Sequence, residues 1–121
     1  MSTLEVSNLN DGTTTVATTF VTNGSAKALA NLLSDASLQG SATLNISSTT
    51  DVGTGNFQAN TTNAFAASND LLGFMSPRST DDVCGPCAVT SASQVAVRII
   101  DISLDTNEDK SVSIVMHGDL A

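Results

Sequence analysis

The sequence contains no tryptophan, no tyrosine and only four phenylalanines. A sugar-binding site that stacks its ligand on Trp or Tyr therefore has no platform here. Bases are scarce too: 4 Lys and Arg face 12 Asp and Glu, a formal net charge of -8. Lys27, Arg78, Arg98 and Lys110 are scattered and cannot form the basic footprint through which proteins neutralise nucleic-acid phosphates. Apolar runs extend only a few residues, against the ~20 that a membrane span needs. The opening Met1-Ser2-Thr3-Leu4-Glu5-Val6 lacks the basic and apolar regions of a secretory signal, so exposure outside the cell would follow lysis. Nucleic acid, membrane and cofactor are thus not expected among the partners.

What is present is small and β-prone. The chain holds 16 Thr, 16 Ser and 10 Asn among 121 residues, and 40% of it is hydrophobic. That composition suits one folded domain and not a disordered chain. With so few large side chains its core is thin, and contacts between subunits would help stabilise it. Leu4, Val6 and Leu9 read as a short strand, Asn10-Asp11-Gly12 as a turn, and the Thr- and Val-rich stretch 13–22 as further strand or arm. Residues 25–33 carry both helix and strand signals. Ala42, Leu44 and Ile46 alternate with polar residues, predicting a strand that turns at residues 51–55 and returns through Phe57. Residues 63–69 suggest a helical turn, 71–75 a buried strand, and 78–86 a polar loop. A strand over 95–103, a turn over 105–110 and a last strand from Val112 complete the pattern. The expectation is an all-β fold, an antiparallel β-sandwich or barrel of jelly-roll type. Residues 1–25 form an extended N-terminal arm, and residues 26–121 a single β-rich domain. Leu4, Val6, Leu9, Val16 and Phe20 are the arm residues expected to contact a neighbouring subunit.

Three motifs invite chemistry. Cys84-Gly85-Pro86-Cys87 repeats the CGPC of thioredoxin active sites, where a helix N-terminus activates the first thiolate. Here the following residues alternate like a strand and no proline comes later, so redox catalysis is disfavoured. A loop disulfide in an oxidising setting, two plain thiols, or sulfurs gathered at a trimer axis around a metal remain open. Asp105, Asn107 and Asp109 have the spacing that opens an EF-hand loop, but its sixth position is Lys110 and its twelfth Met116. A solvated acidic turn is the simpler reading, with a weak cation site as the alternative. His117, the sole histidine, has no partner or pocket that the sequence identifies. No catalytic or metal-ligating residue is therefore assigned, and no enzyme activity is expected. The triplets starting at Asn23, Asn45 and Asn60 match a glycosylation pattern as expected by chance in so Asn-, Ser- and Thr-rich a chain.

The segments Ser2-Thr3-Leu4-Glu5-Val6-Ser7-Asn8-Leu9, Asp11-Gly12-Thr13-Thr14-Thr15 and Asn23-Gly24-Ser25-Ala26-Lys27-Ala28 resemble tailed-bacteriophage virion proteins of the tail-fibre-like type, common in marine phages and cyanophages. A central stretch, residues 44–57 continuing to Thr61-Thr62-Asn63-Ala64-Phe65, is similar to the same group. Together these segments cover roughly half the chain. The resemblance implies a β-rich structural part of a phage particle, trimeric, made in the host cytoplasm and carried on the virion surface. Where that group has aromatics after Lys27-Ala28, this chain has Leu29, Ala30 and Asn31, and the Asn69-Asp70 region lacks its tyrosine. Those losses, with a length that leaves no room for a fibre shaft, favour a head decoration (cement) protein that clamps the major capsid protein non-covalently. A tail-fibre or tail-tip protein contacting the host receptor is the alternative. A CGPC thiol-disulfide protein is the reading of a different class.

Overall fold

A computed structural model describes residues 6–40, 43–79 and 82–121, apart from the side chains of residues 19, 20, 23 and 70. The fold is all-β: more than half of the chain is strand, in antiparallel sheets that do not close into a barrel. β1 (Asn8–Asn10) and β2 (Thr15–Ala17) form a hairpin, followed by the short helix α1 (Thr18–Gly24). Asp11 makes the hairpin turn. Its Oδ1 accepts hydrogen bonds from the Thr13 and Thr14 amides at 2.9 and 2.7 Å, and these bonds, Thr14 first, hold its carboxyl below the ordinary carboxylate value. Gly12 follows at φ +96, the left-handed geometry that favours glycine. α1 replaces the strand expected at residues 18–22. It has no side-chain cap and no acid in its first turn, so nothing in its sequence marks a helix start.

Two larger sheets make the body. β3 (Ala28–Leu32), β12 (Val112–His117) and β6 (Leu72–Pro77) form one, in the order β3-β12-β6. β4 (Ile46–Gly53), β5 (Asn56–Thr61), β9 (Gln94–Arg98) and β8 (Cys87–Ser91) form the other, in the order β4-β5-β9-β8. Their inward side chains share one core. Ala28, Ala30 and Leu32 align with Met116, Ile114 and Val112, and pack with Phe57, Ala59, Val95 and Val97 of the second sheet. Residues 25–33 thus resolve as strand. Leu29, Leu32 and Leu33 have helical spacing, but Ala28, Ala30 and Leu32 alternate with it, and the sheet buries that second set.

β7 (Val83–Cys84), β10 (Ile100–Asp101) and β11 (Thr106–Asn107) form a small third sheet with β10 in the centre. The expected polar loop 78–86 therefore contains a strand, and the expected strand 95–103 breaks at Ile99. Residues 63–69 are not a helical turn. Phe65 is buried in the core and bridges Leu120, and only Ser68–Asp70 forms a 3-10 turn. Of the expected alternation through Ala42, Leu44 and Ile46, Ala42 lies outside the described residues, and the step from Leu44 to Ile46 is interrupted by Asn45 at φ +54, so that β4 starts only at Ile46. Asn tolerates that conformation, and its amide pays for the break by bonding the Asn63 backbone on both sides, at 2.7 and 3.1 Å. Among the described residues no helix is long and apolar enough to cross a membrane.

Candidate functional site

The CGPC segment joins β7 to β8, with Cys84 ending one strand and Cys87 beginning the next. No helix follows it. Both cysteines are free thiols, Cys84 exposed and Cys87 half-buried. Burial pushes the Cys87 thiol from 9.0 up to about 11, away from the low value that a reactive thiolate requires. Its sulfur occupies the space left by the missing side chain of Gly73, where a Cβ would lie 2.6 Å from Sγ. Gly85 and Pro86 grip the end of β9: the Arg98 amide donates to the Pro86 carbonyl at 3.1 Å, and the bare Cα of Gly85 rests against the Arg98 carbonyl. The motif is a packing device in this fold.

A thiol probe at pH 8 should therefore label Cys84 first and reach Cys87 slowly until the protein unfolds; equal rates for the two in the native state would contradict the burial. Alkali should also act through Cys87. Below 9.0 the thiol is protonated in folded and unfolded chains alike; between 9.0 and about 11 the unfolded chain ionises first, so stability falls across that window. Cys87→Ala should flatten that part of a denaturation-against-pH curve.

The acidic turn is built into the same corner. Asp105 takes φ +52 and turns the chain. The Asn107 Oδ1 accepts from Arg98 Nε at 2.8 Å, and the Asp109 Oδ1 accepts from the Gly55 amide at 2.6 Å. The second and third positions of the motif therefore serve other parts of the fold instead of converging on an ion. Among the described residues no cluster of three or more His, Cys, Asp or Glu is arranged to hold a metal. Asp109→Ala should cost about 1.5–3 kcal/mol, the scale of a hydrogen bond to a charged group. Millimolar calcium should leave the melting temperature of the natural chain unchanged; a calcium-dependent rise abolished by that variant would contradict this assignment. His117 ends β12, where its ring meets Phe74 edge-on, centroids 6.1 Å apart.

The arm leaves its apolar residues in water. Val6, Leu9, Val16 and Val21 are between 37% and 47% exposed, although Leu9 and Val16 face each other across the hairpin. Leu4 and the Phe20 side chain lie outside the described residues. Two further surfaces escaped sequence reasoning. On the outer face of the four-stranded sheet, a cavity of about 330 Å³ has a floor of Ala88 and Ala96, lined also by Val52, Gln58, Pro86 and Arg98. Beside it a polar row crosses all four strands: Thr90 donates to Gln94, Gln94 to Asn60, and Asn60 to Ser48, at 2.7, 2.8 and 3.0 Å. The other surface carries Leu72 and Phe74, at the outward positions of β6 and exposed. Reading residues 71–75 as a buried strand hid them; period-two alternation with glycine at position 73 was the available signal.

No match to this chain was found among protein-family models, curated proteins or solved structures.

Proposed function

We propose that this chain is a structural protein of a tailed-bacteriophage particle, a head decoration (cement) subunit that self-associates and clamps capsid subunits without covalent chemistry. The observation that carries the reading is the arm. A hairpin and helix that leave Val6, Leu9, Val16 and Val21 in water gain stability by covering them against another subunit. The segments resembling virion proteins support the same reading, as does an acidic chain whose one CGPC motif is packed for structure. Purified protein added to heads that lack it should cosediment with them and raise the temperature at which they release DNA. Absence of both effects would overturn the reading.

The second reading, a tail tip that contacts the host, is favoured by the cavity beside Arg98 and the row of amides next to it, which offer hydrogen bonds to a polar ligand. It predicts that the isolated protein competes with phage adsorption, which a head protein does not.

A further inference from the structure

The outer face of the three-stranded sheet is apolar in its middle and basic at its ends. Strand register places Leu29, Val115 and Phe74 in one row across β3, β12 and β6. Leu72 and His117 form the adjacent pair, and Leu44 extends the row by bridging Leu29. Leu72 is 61% exposed, Phe74 58% and Leu44 50%, a contiguous group and not isolated surface residues. Lys27 precedes β3, where its amide donates to the Met116 carbonyl at one end of the sheet. Arg78 follows β6, where its amide donates to the Ser111 carbonyl at the other end. Both fall on the outward register, as does His117. The outward positions of the three strands hold no carboxylate, in a chain whose 12 acids outnumber its 4 Lys and Arg.

The arm has the opposite character. Residues 1–25 contain Glu5 and Asp11 and no Lys, Arg or His, and Val6, Leu9, Val16 and Val21 are exposed. Each surface lies uncovered in the same chain, so the arm does not cover its own sheet. Apolar complementarity with opposite charge at the margins is how specific interfaces are matched. We propose that the arm of one copy docks on the outer β3-β12-β6 face of the next, setting Leu9 and Val16 against Phe74 and Leu72 between the flanking bases. Because arm and face are different patches, the contact is head-to-tail, and it closes into a ring when the rotation between copies allows. This rests on the self-association proposed above and assigns it surfaces.

Sedimentation of the full-length chain tests it with single variants at exposed positions, Val16→Asp in the arm and Phe74→Asp on the sheet, with Leu72→Asp as a second face variant should Phe74→Asp fail to fold. Each should weaken association about 30-fold or more, the effect of losing a central apolar contact. Mixing the arm variant with the face variant should restore a one-to-one pair, since one keeps an intact face and the other an intact arm. A mixture that stays monomeric, or an oligomer that survives Val16→Asp, overturns the docking while leaving self-association standing. A natural chain that is monomeric at every concentration overturns both.

Discussion

Gly85→Ala is expected to lower unfolding stability by about 3 kcal/mol or more, or to prevent folding altogether. The added Cβ would land on the Arg98 carbonyl oxygen, 2.7 Å from its carbon and 3.4 Å from the Ile99 Cα. All of these are backbone atoms, which cannot rotate away as a side chain would. The strand cannot withdraw either, because the Arg98 amide is bonded to Pro86 and the Ile99 amide to Gly55, at 3.1 and 2.7 Å. Urea denaturation of Gly85→Ala beside Cys84→Ser separates packing from thiol chemistry. Cys84 is exposed, so its serine variant should stay within about 0.5 kcal/mol of the natural chain. A stable Gly85→Ala with a crippled Cys84→Ser would contradict the structural reading of CGPC.

Gly55→Ala should be nearly as damaging, at about 3 kcal/mol, from two costs acting together. At φ +66 any L side chain costs about 1–2 kcal/mol. The new Cβ would also sit 2.6 Å from the Ile99 carbonyl oxygen and 2.8 Å from the Glu108 amide nitrogen, which adds the cost of overpacking. Gly55 sits where three connections meet. Its carbonyl accepts from Ile99, Ile99 in turn accepts from Glu108 at 3.1 Å, and its own amide donates to Asp109. Combining Gly55→Ala with Asp109→Ala should therefore cost less than the sum of the two, because both break the same contact. Strict additivity would show that the turn and the acidic loop act independently.

These two glycines also show why the sequence was only partly legible. The β-class was readable because strand residues alternate, as in Phe57, Ala59 and Thr61 or Val112, Ile114 and Met116, and each set is buried on one face. The lock around Ile99 was not, since it joins residues 55, 85, 98 and 99 through backbone atoms, which carry no sequence signature, and adds only the Asp109 carboxylate from a side chain. The surroundings of the two motifs in the sequence already argued against chemistry at them, but did not show what the fold does with them. Cys84-Gly85-Pro86-Cys87 advertises a thiol site and Asp105-Thr106-Asn107-Glu108-Asp109 a cation loop, whereas the fold uses Gly85, Pro86, Asn107 and Asp109 to fasten Arg98 and Gly55. The arm residues Val6, Leu9 and Val16 stood out because they are apolar among polar neighbours, but the helix α1 that follows them offered no cap or charge pattern to read. The scarcity of aromatics gains a specific meaning in the fold. Phe57 and Phe65 are buried in the core, and Phe74 is left on the surface, where a protein short of large apolar side chains has reason to use it for contact.

The proposed role in building a phage particle unites the exposed arm, the apolar sheet face and the packed motifs. Its most direct test is the number of copies in the phage particles that the proposal assigns the chain to, measured by quantitative mass spectrometry against the major capsid protein. A head decoration protein predicts hundreds of copies per particle, in a fixed ratio to the capsid subunit. A handful of copies, or none, would contradict it.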